Sequence, residues 1–188
     1  MGEGERTIDP KICQIVSSLS SSGIEVTMET NAYLLGEELT LKLLKAGLSS
    51  TVVSLKAQQE ELHHFYTGVS PKLILENFHK AYKLGLNLEV VSVFIPDLVE
   101  KEEIEKIAQF VSSIDLKIPY TVIPFIPVPQ AEWWQPRSEE IKEAAGVAKK
   151  YLAKVEIDER RRNPVLIESI YPKLSFCKKG GINGTDFQ

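Results

Sequence analysis

A few short polar stretches hold the residues of this chain best able to do chemistry. Gly4 and Glu5 lie in the loop "EGERT", whose glycine lets the backbone approach a ligand closely. Glu29, Thr30 and Asn31 close one apolar run, and Ser54 and Lys56 close the next. Carboxylates, hydroxyls, an amide and an ammonium gathered in one place suit the binding of a small polar molecule. Taken singly, each has a plainer role. Glu29 can cap a loop, Asn31 can supply a turn, and Lys56 can snorkel from a strand end. Metal-ligand spacing is lacking: Cys13 and Cys177 are far apart, and Cys13, within "ICQIV", reads as a packed thiol. His63 and His64 are adjacent, so they do not share a helix face, and both read as ordinary helix surface.

The elements that must position these groups follow from the apolar pattern. "DPKICQIVSSLSSSG", "GEELTLKLLKAG", "SPKLILENFHKAYKLG", "EKEEIEKIAQFVSSI" and "SEEIKEAAGVAKKYLAK" repeat apolar residues at helical spacing. Asp9 and Ser70 are expected as N-caps, and Gly23, Gly47 and Gly85 as stops. Between the helices run "IEVTME", "STVVSL", "LNLEVVSVFI", "YTVIPFI" and a short "VEID". Continuously apolar strands alternating with helices predict a parallel sheet covered on both faces. Ligands of such sheets bind outside the carboxyl ends of the strands. Glu29–Asn31, Lys56, Pro96–Asp97 and Pro124–Pro127 would all fall there. Trp133 and Trp134, in the loop before the last helix, suit either a lid or a cover for the sheet.

The chain has 188 residues and a net charge of −4. That length buries roughly 70% of the unfolded surface in one domain, but a closed eight-stranded barrel needs about 250 residues. The expected fold is therefore α/β, an open or incomplete parallel (β/α) barrel of about four to five strands. It would occupy residues 1–158, with a basic, then Gly-rich tail over 159–188 that is expected to be partly disordered. The basic "ERRRNP" reads as a solvated linker rather than a phosphate site. The mild negative charge argues against nucleic-acid and anionic-membrane partners. There is no bilayer-length apolar run and no signal-peptide core, so a cytoplasmic location is the default.

Several stretches, in order and at matching spacing, resemble the radical S-adenosylmethionine enzymes of the pyruvate formate-lyase activating type. They are "METNAYLL", "VSLKAQQEELHHFYTGVSP", "LILENFHKAYKLGLNLEVVSVFIPD" and "EEIEKIAQFVSSI". The resemblance covers nearly all of residues 3–152. It aligns "EGERT" with the family's G-G-E-P-T, "ETNA" with D-T-N-G, "SLK" with D-[LIV]-K, and "LEN" with V-L-E-N. It implies a partial barrel and S-adenosylmethionine as ligand. Gly4 and Glu5 would meet its amino group, Glu29, Thr30, Asn31 and Ser54 would complete the set, and Lys56 would face its carboxylate. The implied reaction is reductive cleavage of S-adenosylmethionine to a 5′-deoxyadenosyl radical, with a partner protein as substrate in the intact family.

The chain also departs from that pattern. It has no C-x-x-x-C-x-x-C motif, so the family's [4Fe–4S] cluster is not expected here. Ser54 replaces an aspartate, and Ile126 stands where the family often has histidine. The reading is a truncated form, inactive alone, in which S-adenosylmethionine binding is weak or absent. The alternative is a degenerate, non-catalytic α/β interaction or ligand-binding module. An unprotected edge on strand 24–29 further implies a homo-oligomer.

Overall fold

The computed structural model describes residues 4–128 and 131–158. A 3-10 turn, Arg6–Ile8, leads into helix α1 (Ile12–Ser21) and strand β1 (Val26–Thr30). Then follow α2 (Glu37–Ala46), β2 (Leu48–Ser54), α3 (Glu60–Thr67) and α4 (Lys72–Lys83). The chain continues through β3 (Leu88–Phe94), α5 (Lys101–Ile114), β4 (Tyr120–Pro124), α6 (Ser138–Ala148) and β5 (Val155–Ile157). The five strands form one parallel sheet in the order β1-β2-β3-β4-β5. The expected incomplete parallel barrel is thus what the chain builds.

One expectation is overturned. The sheet is not covered on both faces: burial alternates along the strands. In β1, Val26, Met28 and Thr30 are buried while Thr27 and Glu29 are exposed. In β3, Leu88, Val90, Ser92 and Phe94 are buried, and Glu89, Val91 and Val93 are less so. Topology explains this. With strands in sequential order and right-handed crossovers, the connecting helices all fall on one side. The other face has no helix layer and corresponds to a barrel interior. Valines at Val52, Val91 and Val93 on that open face masked the two-residue period in the sequence.

The helix side carries the core. Leu43, Phe78, Ile104, Ile107 and Ile141 are almost fully buried against Val53, Val90 and Val122 of the strands. Each such side chain contributes about 1.5–3 kcal/mol of transfer free energy. Gly47 ends α2 at φ +93°, and a Cβ there would lie 2.2 Å from Ser20 Oγ of α1. A glycine is therefore needed both for the left-handed turn and for the close approach of the two helices. Helix starts differ slightly from expectation. Asp9 accepts from the Lys11 amide at 2.8 Å, but α1 begins at Ile12. Ser70 accepts from the Lys72 amide at 3.2 Å, one position before the N-cap residue Pro71 of α4.

β1 is an outer strand of the sheet, as expected for the 24–29 segment, although Ile24 itself precedes the strand and is 51% exposed. Among the described residues no helix is long and apolar enough to cross a membrane. The 159–188 tail, with Cys177, lies outside the described residues.

Candidate functional site

The site is assembled at the carboxyl ends of β1 and β2 by groups far apart in sequence. Glu5 is its hub. Its Oε1 accepts from the Thr7 amide (3.0 Å), the Thr7 hydroxyl (2.7 Å) and the Thr30 hydroxyl (2.6 Å). Its Oε2 accepts from the Asn31 amide at 2.7 Å. Burial alone would raise the Glu5 pKa. The hydrogen bonds from Thr30, Thr7 and Asn31 outweigh it and hold the carboxyl below its ordinary value. One carboxylate thus ties the "EGERT" loop to the end of β1, and only Oε2 keeps a lone pair for another partner.

The turn after β1 is fixed from its other side. Ala32 is fully buried and holds φ +62°, a conformation that costs an alanine roughly 1 kcal/mol. Its amide donates to Thr30 Oγ1 at 3.0 Å. Asn77 of α4, itself buried, donates through Nδ2 to the Ala32 and Tyr33 carbonyls, both at 3.0 Å. Residues that resembled separate family motifs therefore interlock: Glu5, the Thr30–Ala32 turn and Asn77 form one connected set.

Lys56 follows β2. Its ammonium sits 5.8 Å from the Tyr66 ring centroid, within cation–π range. It makes no hydrogen bond or ion pair with any described residue. Burial pushes its pKa below the ordinary lysine value, and the Glu29 carboxylate offsets part of that effect. The loop leaving Lys56 is clamped by Glu103 of α5. Its side chain is 4% exposed, and its Oε1 accepts from the Gln58 amide and, at 2.8 Å, from the Gln59 amide. Its Oε2 lies 3.4 Å from Lys106 Nζ.

Gly4, Glu5, Glu29, Thr30, Asn31, Ser54 and Lys56 all line one pocket of about 310 Å³, together with Arg6. The structure thus brings these seven candidate residues together and adds Arg6, whereas Pro96, Asp97 and Pro124–Pro127 do not line this pocket. A second cavity of about 340 Å³ adjoins it and shares Glu5, Asn31, Ser54 and Lys56. Its further walls are mainly apolar, with Ile8, Leu34, Val69 and Ile74 among them, and they include His63 and Thr67. Here the sequence reading fails. His63 is 1% exposed and lies in a cavity wall, not on the helix surface. His64 is exposed, as the adjacency rule requires. The "HHFYTGVS" motif held the signal: the His63 ring bonds to the Val69 carbonyl at 2.7 Å and closes the turn around Gly68. The tryptophans do not cover this site. Trp133 packs edge-on against Phe125 at 6.4 Å, after β4, and Trp134 is 51% exposed.

Comparison with known proteins decides the family. The model of the radical SAM superfamily matches residues 1–111. The chain belongs to the radical SAM superfamily. It is 31% identical over 159 residues to a Methanocaldococcus jannaschii protein provisionally named as a glycyl-radical enzyme activating enzyme, across 81% of this chain and 59% of that protein. It thus spans about three fifths of that relative's length. Over 85 residues it is 39% identical to a provisionally named GTP 3′,8-cyclase of Sulfolobus acidocaldarius, covering 44% of this chain and 27% of that one. Two crystal structures share the fold. A domain of pyruvate-formate lyase-activating enzyme from Bacteroides vulgatus superposes with a TM-score of 0.72 at 17% identity, over 84% of this chain and 96% of that domain. Streptococcus suis SuiB, bound to S-adenosylmethionine, superposes with a TM-score of 0.69 at 17% identity, over 98% of this chain and 40% of SuiB.

The residues of this radical SAM chain fit the family's two cofactors unequally. The pocket offers carboxylates, a lysine in no direct ion pair with a described residue and a glycine at φ +90°, Gly4, which suit a zwitterionic sulfonium ligand. A four-iron cluster needs three thiolates on its irons. This chain has two cysteines, and Cys13 packs partly buried against the core from α1. Among the described residues no group of three His, Cys, Asp or Glu side chains could hold a metal ion. A cluster does not fit on these residues.

Proposed function

We propose that this chain is the ligand-binding side of a radical SAM enzyme of the glycyl-radical-activating kind, with S-adenosylmethionine in the polar pocket. The observation that carries the reading is Lys56. Its ammonium is half-buried, feels the Glu29 charge without forming an ion pair among the described residues, and lies in the same pocket as Glu29 and Glu5. A half-buried ammonium in no direct ion pair gains a strong partner when a ligand carboxylate supplies one. In this reading the ligand's carboxylate meets Lys56. Its ammonium meets Glu29, the free lone pair of Glu5 Oε2 and the backbone at Gly4. Thr30, Asn31 and Ser54 shape the wall between them. The site would orient the ligand, and reductive cleavage would need an electron from a cluster that these residues do not hold. The substrate class carried by this reading is a partner protein, as the name of the Methanocaldococcus relative suggests.

Calorimetric titration with S-adenosylmethionine tests the site. The expected result is binding weaker than about 1 μM, with Lys56→Ala weakening it at least tenfold. Binding tighter than that and unchanged in Lys56→Ala would remove the site. Anaerobic reconstitution with iron and sulfide is expected to leave the chain without cluster absorbance, and a stable four-iron spectrum would overturn the cysteine reading.

A further inference from the structure

The apolar cavity beside the polar pocket contains a polar group that the proposed S-adenosylmethionine site does not use. His63 is 1% exposed and forms part of the cavity wall. Its Nδ1 lies 2.7 Å from the Val69 carbonyl and 2.9 Å from Thr67 Oγ1. A carbonyl can only accept, so Nδ1 carries the hydrogen and the neutral ring has its lone pair on Nε2. Nε2 has no partner among the described residues. Nε2 is not among the enclosed, unsatisfied polar atoms of the described residues, which are Thr51 Oγ1 and Tyr120 Oη, so it is open to a partner entering the cavity that the ring lines. Beyond the wall shared with the polar pocket the lining is mainly apolar, with Ile8, Leu34, Val69 and Ile74, and the volume, about 340 Å³, lies within the range of ligand pockets.

We infer that this cavity is a second ligand subsite, for an aromatic or aliphatic group that bears one N–H or O–H donor, with His63 Nε2 as the acceptor that orients it. The apolar part of the wall supplies affinity and the His63 acceptor, set within it, supplies direction. The shared wall of Glu5, Asn31, Ser54 and Lys56 sets the bound group directly against the polar pocket. The subsite therefore suits the apolar portion of a substrate, not a second charged cofactor. Leu34, on the cavity wall and 44% exposed, offers a place to close it without touching the His63 hydrogen bonds.

The test needs no S-adenosylmethionine, so its outcome is separate from that of the titration above. Indole and 1-methylindole, alike in shape but differing in the N–H, are titrated into the full chain, following the His63 ring Cε1–H resonance. Expected are millimolar or tighter binding of indole, at least tenfold weaker binding of 1-methylindole, and loss of indole binding in Leu34→Trp. Equal affinities for the two indoles, binding by neither, or indole binding unchanged in a folded Leu34→Trp protein would each overturn the inference.

Discussion

Glu5 shows how one side chain sets the geometry of the pocket. It joins Thr7, Thr30 and Asn31, so its replacement should loosen the first loop and the end of β1 together. Glu5→Gln is expected to lower unfolding free energy at pH 7 by about 1 kcal/mol, a modest figure because the carboxylate is half-exposed. Its folded pKa lies below the unfolded value near 4.5. The stabilisation is therefore fully present above that unfolded value and is lost as pH falls through the folded one. Denaturation curves of the two proteins should converge in acid. A difference that stays constant from pH 7 to pH 3 would show that ionised Glu5 is not the source. At this scale the sequence was partly legible. Glu29, Thr30, Asn31 and Lys56 could be placed from the ends of apolar runs. The bonds from Glu5 to Thr30 and Asn31 could not, because those partners are 25 and 26 residues away.

Among the elements, α5 and α4 act on the site from behind. Glu103 anchors the loop between β2 and α3, and Asn77 anchors the turn after β1. Glu103→Ala leaves two backbone amides without their acceptor and should cost about 2–3 kcal/mol. Glu103→Gln retains an acceptor and loses mainly the contact with half-exposed Lys106, worth under about 1 kcal/mol. Urea midpoints for the two variants check the ranking, and equal losses would mean that charge rather than the amide bonds matters. Neither role was visible beforehand: Asn77 stood only as part of a family-like "LEN", and Glu103 only as part of the helical stretch "EKEEIEKIAQFVSSI". Elements themselves were read well, since helical periodicity and Gly stops mark them locally. The faces of the sheet were not. Val91 and Val93 look like core residues, and only the sequential strand order shows that they face a side with no helices.

For the whole molecule, the outer edge of β1 and the apolar groups near it set the expected behaviour. Ile15 and Leu19 of α1 and Ile24 before β1 are 45%, 38% and 51% exposed. An unpaired strand edge next to such surface favours self-association. Sedimentation velocity at rising concentration is expected to show a dimer or larger species, and a compact monomer throughout would count against edge pairing. The order of strands has another consequence. Among the described residues each strand pairs only with its neighbours in sequence, so this part of the chain is a short linear array of βα units. Unravelling can then begin at either end without first breaking the centre. The polar pocket is built on the β1 end of that array, so a ligand bound there would act as its terminal cap.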